Sequence, residues 1–243
     1  MSTAPLFLVD PLPAAGVVVL DGPEGRHAAT VKRLRRGEVV RLGDGRGAVA
    51  RATVVGTGRD RVDLEIDSRV EVAAPPLRVV LAQALVKGDR GELAVETATE
   101  AGVDEVLPWK AARCVARWED GPRGDRALGR WRSTVREAAK QARRPWVPPV
   151  GEPVTTAQLA RRVSDAAGAL VLHEAATEAL TAGVLPPRGE LVLVVGPEGG
   201  ITDDEVAALV AAGARPVRLG PEVLRASTAA AVALGALGAL ARW

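Results

Sequence analysis

The hydrophobic pattern divides the chain into two textures. Over residues 17–72 apolar positions come in short runs punctuated by glycine, at Val17–Leu20, 38–42, 48–55 and 61–66, and these predict a small β-barrel. The stretch Gly43-Asp44-Gly45-Arg46-Gly47 supplies the positive φ angles that a tight hairpin needs. Between the first two strands, residues 27–34 read as a helix. Its Ala28, Val31 and Leu34 face inward at three-residue spacing, and its Lys32 and Arg33 face out.

The run Ala73-Ala74-Pro75-Pro76 breaks this texture, because proline cannot donate to a ladder and restricts the residue before it. It sets the expected division: a β-barrel domain over 1–74 and an α/β domain over 75–243. Beyond it, buried strands alternate with helices. A strand at 78–85, a helix at 92–101 closed by Gly102 and a strand at 105–108 make a βαβ unit. Trp131, Val135, Ala138, Ala139 and Ala142 form the apolar stripe of a further helix, and Arg132, Arg136, Lys140 and Arg144 recur at four-residue spacing on another face. Continuous apolar runs at 169–172, 191–195 and 217–219 suit a sheet covered on both faces. Thr202-Asp203-Asp204-Glu205 is a capping box that opens a helix to about residue 212, ended by Gly213. A last helix from about Ser227, almost all alanine, leucine and glycine, reads as buried; its small residues would let a second subunit approach closely.

Composition then narrows the function. No uncharged apolar run is long enough to span a bilayer, and the N-terminus lacks the features of a secretory leader, so a cytoplasmic protein without a membrane partner is expected. The single cysteine, Cys114, cannot form an intrachain disulfide, and with only two histidines no metal centre is expected. The formal charge is +2 with a pI near 9.1, the cations being arginine except at Lys32, Lys87, Lys110 and Lys140. Their distribution says more than their sum. Arg26, Lys32, Arg33, Arg35 and Arg36 cluster early, and Arg132, Arg136, Lys140, Arg143 and Arg144 cluster midway with Arg123, Arg126 and Arg130. Guanidinium forks match phosphate, and two clusters on separate domains favour an anionic polymer over mere solvated faces.

Three segments can carry chemistry. The strand 191–195 runs into Gly196-Pro197-Glu198-Gly199-Gly200, a loop where a ligand can lie against bare backbone. It is not the dinucleotide fingerprint G-x-G-x-x-G, Pro197 has no N–H for a phosphate, and no Walker lysine follows. A second strand leads into Leu219-Gly220-Pro221-Glu222-Val223-Leu224-Arg225, which suggests one pocket shared by two loops. Leu172-His173-Glu174 closes a third strand, where His173 and Glu174 read either as acid/base groups or as a polar strand end.

Taken together and in this order, these loops resemble the RsmE family of SPOUT methyltransferases. Three further stretches agree: Thr97-Ala98-Thr99-Glu100-Ala101-Gly102-Val103, then Glu137 through Gln141 to Arg143-Arg144 with Pro148, and His27-Ala28 to Leu34-Arg35-Arg36-Gly37-Glu38 with Asp44-Gly45. The resemblance implies a C-terminal trefoil-knot methyltransferase domain behind a PUA-like RNA-binding β-barrel. It also implies a homodimer, S-adenosylmethionine as cofactor, and N3-methylation of uridine 1498 in the 16S rRNA of the 30S subunit. Carried over residue by residue, the cofactor loops are Leu172 and His173, Gly196 to Gly200, and Leu219 and Gly220 with Leu224 and Arg225. Many relatives have glutamate where this chain has Ser227, which is assigned to helix capping.

For such a reaction Arg144 and Arg225 are the candidates to hold phosphate or the uracil anion, with Glu100 and Glu198 as possible bases or orienting groups. RNA affinity is expected from Arg26, Lys32, Arg33, Arg35, Arg36, Arg132, Arg136, Lys140 and Arg143, since the scarcity of aromatics disfavours stacking. The alternatives are a SPOUT enzyme acting on another rRNA or tRNA nucleotide and a non-catalytic RNA-binding assembly factor. An oxidoreductase is disfavoured by the missing fingerprint.

Overall fold

The structure, a computed structural model, describes residues 4–242. They group into two compact units, one made of the chain up to residue 74 with 139–147, the other of 75–138 with the chain from 148.

In the first unit the order is β1 (Leu6–Leu8), β2 (Val17–Leu20), α1 (Gly22–Arg26) leading into a π-helical turn (His27–Val31), β3 (Val39–Gly43), β4 (Ala48–Gly58) and β5 (Arg61–Glu71). These strands form one sheet in the order β1-β3-β4-β5-β2, with only β1 and β3 parallel. Phe7 from one edge and Val18 and Leu20 from the other share a core with Val40, Leu42, Ala52, Val62 and Leu64. The sheet therefore curls around a common interior. Register shifts at Arg51/Ala52 and Val54/Gly56 supply the local bends.

The inward helical face reads correctly at Ala28, fully buried, and wrongly at Val31, which is 66% exposed. A π-helical turn winds wider than 3.6 residues, so three-residue spacing no longer stays on one face. In the β3–β4 hairpin Asp44 Oδ1 accepts from Arg46 N at 2.7 Å and Ala48 N at 3.1 Å. Gly47, at φ +108°, also lies where a Cβ would come within 2.6 Å of the Trp146 ring. Trp146 Nε1 donates to Val72 O at 3.0 Å and Val147 N donates to Gly45 O at 2.9 Å. These bonds make 139–147 part of this unit, although the sequence pattern assigns it to the α/β domain.

The second unit contains β6 (Leu77–Ala84), α2 (Arg90–Glu100), β7 (Glu105–Trp109), the start of α3 (Pro122–Gln141), α4 (Thr156–Asp165), β8 (Gly168–Leu172), β9 (Gly189–Val195), α5 (Asp203–Ala211), β10 (Arg215–Val217) and α6 (Ala226–Ala241). Its sheet is wholly parallel in the order β10-β8-β9-β6-β7. Ala82, Ala84, Trp109, Val192 and Val194 share one core with Leu159 and Val163 of α4 and Leu209 of α5. Alternation along the strands turns Leu81 and Leu193 to the other face, where α2 and α6 pack together. Helix α4 has no counterpart in the sequence reading, yet its start carries a full capping box, Thr155 with Gln158.

Because all five strands are parallel, their carboxyl-end loops gather along one edge. One of them embraces its neighbour. His173 N donates to Val217 O at 3.0 Å, Arg218 N donates to Glu178 O at 2.9 Å and Leu180 N donates to Arg218 O at 2.9 Å. The chain leaving β8 thus bonds Val217 at the end of β10 and, five and seven residues later, both backbone groups of Arg218.

Candidate functional site

A cavity of about 730 Å³ opens among these loops, a size suited to a small organic ligand. Its floor is apolar, from Leu172, Val195, Ile201 and Val217, and its walls are the backbone-rich segments 196–200 and 219–225. Every cofactor-loop residue expected from the sequence lines it: Leu172, His173, Gly196, Pro197, Glu198, Gly199, Gly200, Leu219, Gly220, Leu224 and Arg225. The His173 ring is oriented by Ala175 N, which donates to Nδ1 at 3.3 Å. In the neutral ring the proton is therefore on Nε2. Gly200, at φ +75°, needs glycine for its backbone, and Gly199 needs it for space.

The space is taken by Arg113, a residue that neither motif nor period points to. A Cβ at Gly199 would lie 3.2 Å from Arg113 Cβ and 3.3 Å from its carbonyl oxygen. Arg113 Nη1 donates to Gly199 O at 3.2 Å, and Arg90 Nη1 lies 3.4 Å from Glu198 Oε1. Behind them Glu205, only 6% exposed, ties three segments together. Its carboxylate accepts from Ala112 N at 2.8 Å, Thr156 Oγ1 at 2.9 Å and Thr202 Oγ1 at 3.0 Å, as well as from Thr202 N. A buried carboxylate is stable only when its lone pairs are met in this way. The neighbouring Cys114 thiol is pushed up from its ordinary pKa, chiefly by burial, so at neutral pH it is a protonated packing group and no nucleophile.

The other expected site residues fall elsewhere. Ser227 lines the cavity but does not cap α6: the N-cap is Arg225, without a side-chain cap, and Ser227 is buried in the first turn. Glu100 lies at the end of α2 opposite Arg90, roughly 15 Å along the axis, and is not in the cavity wall. Arg144 belongs to the first unit, with segment 139–147. Among the basic residues, Arg26, Lys32, Arg33, Arg35, Arg36 and Arg136 are exposed, Arg26 with Asp60 4.0 Å away. Arg132 is engaged with Val150 O and Glu152. Arg143 is half-buried at positive φ. Lys140 is buried, with Nζ 2.7 Å from Glu24 Oε1, so it braces the fold and offers no open charge. Among the described residues no cluster of three potential metal ligands occurs, and no helix is long and apolar enough to cross a membrane.

Comparison with known proteins agrees with this geometry. Residues 73–238 match the RNA methyltransferase domain family, and residues 20–67 match the RNA methyltransferase PUA domain. The chain is 56% identical to ribosomal RNA small subunit methyltransferase E of Mycobacterium tuberculosis, covering 99% of this chain and 94% of that protein. It is 32% identical to the Bacillus subtilis protein of the same name, covering 90% and 88%. The crystal structure of ribosomal RNA small subunit methyltransferase E from Neisseria gonorrhoeae bound to S-adenosylmethionine superposes with a TM-score of 0.86 at 28% identity, over 98% of each chain. A PUA-like domain joined to an α/β RNA methyltransferase domain, with full-length identity of this order, means that the chain belongs to the ribosomal RNA small subunit methyltransferase E family.

Proposed function

We propose that the cavity binds S-adenosylmethionine and that the protein transfers its methyl group to N3 of uridine 1498 in 16S rRNA, acting in the cytoplasm on the RNA or on the 30S subunit. The single observation that carries this reading is the convergence of segments 172–173, 196–200 and 219–225 on one cavity. Its composition suits a zwitterionic sulfonium nucleoside. The glycines leave backbone exposed to a flat ring, and Glu174, Glu198, Asp203 and Glu222 offer carboxylates to the cationic end. When bound, the cofactor supplies a methyl group already activated for transfer.

The residues of the chain position and deprotonate. Arg225, at the start of α6, is the cavity cation able to stabilise a uracil anion as its proton leaves. Glu198 is the cavity carboxylate able to take that proton, and the Nε2–H of His173 can donate a hydrogen bond to the substrate. A homodimer fits the surface: Val232 and Leu240 of α6 and Leu93 of the adjoining α2 remain about half exposed, an apolar face that a second copy would cover. The bonds that hold residue 218 between 173 and 178–180 support a trefoil knot.

Calorimetric titration with S-adenosylmethionine tests the assignment. The wild type should bind at one site per chain, and Gly199→Val, whose side chain would collide with Arg113, should lose at least tenfold in affinity. Unchanged affinity in the variant would move the cofactor to another part of the molecule.

A further inference from the structure

We propose that Arg113, with Arg90 beside it, is the subsite that receives a backbone phosphate of the RNA strand entering the cavity. The inference rests on the methyltransferase reading above and adds to it where the substrate's charge is held. Arg90 opens α2, which follows β6, and Arg113 lies in the loop after the adjacent strand β7; both line the cavity, although neither lies in the segments that carry the cofactor assignment.

Arg113 is held in place before any ligand arrives. Its neighbour Ala112 is fixed on Glu205, its own backbone packs against Gly199, and its Nη1 donates to Gly199 O. Ordering a free arginine is entropically unfavourable, so a guanidinium already oriented binds an anion at a smaller cost. It is also uncommitted. Among the described residues Arg113 has no carboxylate within ion-pair range, and its one side-chain hydrogen bond uses one of five donors.

The other cavity cations differ. Arg90 shares its charge with Glu198, and Arg218 and Arg225 have no side-chain hydrogen bond to orient them among the described residues. A planar fork with open donors matches phosphate bidentately. The carboxylate of the methyl donor offers similar chemistry, but Arg113 is exposed at the rim, where a polymer strand reaches it from solvent.

The test uses the full-length protein as wild type, Arg113→Ala, Arg113→Lys and Arg90→Ala. RNA binding to a 16S rRNA fragment is measured over a salt series, beside S-adenosylmethionine titration and methyl transfer. Arg113→Ala should lower the salt slope of log K by about 0.7–0.9 and raise the KM for RNA about tenfold, with kcat and cofactor affinity within about threefold of wild type. Arg90→Ala should do the same to a lesser degree, and Arg113→Lys should restore the slope but not the full affinity. An unchanged slope in Arg113→Ala overturns the proposal, as does a loss confined to cofactor affinity, which would assign Arg113 to the donor's carboxylate. If the wild type transfers no methyl group while the slope still falls in Arg113→Ala, the phosphate subsite stands and the enzymatic reading fails.

Discussion

At the residue scale, the site depends on groups that hold others as much as on groups that face the cavity. Glu205 shows this most clearly. Locally it is the third residue of α5 and closes a capping box, which the spacing Thr202-x-x-Glu205 makes legible. Its bonds to Thr156 and Ala112 span 49 and 93 positions of sequence, and no local pattern reveals them. Removing the carboxylate would leave Ala112 N and the Thr156 hydroxyl without their acceptor in a part-buried site. Glu205→Ala should therefore cost about 3 kcal/mol in urea unfolding, with Glu205→Gln costing less because its amide oxygen can still accept. A loss under about 1 kcal/mol in Glu205→Ala would show that the three segments are held together by other contacts. Gly199 was legible as a special residue but for another reason, since the bulk it avoids is Arg113.

At the element scale, what the sequence made visible was the period and the punctuation. The buried runs became β6, β8 and β9 nearly at their expected limits, and Gly102 and Gly213, at φ +99° and +104°, follow α2 and α5 as helix stops. Three elements escaped, the first being helix α1, which lies wholly before the expected helix at 27–34. Strand β1 has only three residues, too short for alternation to show. Helix α4 carries Leu159 and Val163 as its buried positions, a sparse stripe, though Thr155 and Gln158 announced its start. The inward face was wrongly assigned at Val31 because the turn there is π-helical, and Ser227 is no cap because α6 starts at Ala226, with Arg225 as its N-cap. Both capping boxes are complete, so Thr155→Ala should cost about 1 kcal/mol. Thr202→Ala should cost more, because the Thr202 hydroxyl donates to the buried carboxylate of Glu205, whereas that of Thr155 donates to the exposed amide of Gln158. Thermal unfolding of the two variants checks that order, and equal losses would contradict it.

At the scale of the whole molecule, the α/β character of the C-terminal unit and the strand-rich N-terminal unit followed from hydrophobic texture, while the strand order did not. Parallel strands pair across long intervals, and nothing in a run of valines says that β9 lies between β8 and β6. The embrace of residue 218 by the chain after β8 is equally invisible to local reasoning, and only the family resemblance anticipated a threaded topology. The loops that build the cavity were nonetheless readable, because glycine-rich turns after buried strands mark where a parallel sheet presents its carboxyl ends. The most direct test of the central claim is transfer of labelled methyl from S-adenosylmethionine to 30S subunits and to naked 16S rRNA, with the modified nucleotide located by mass spectrometry. The account predicts N3-methyluridine near the 3′ end of 16S rRNA. A mark on another base or another RNA would contradict the assigned substrate, and no transfer to either substrate would contradict the assigned activity.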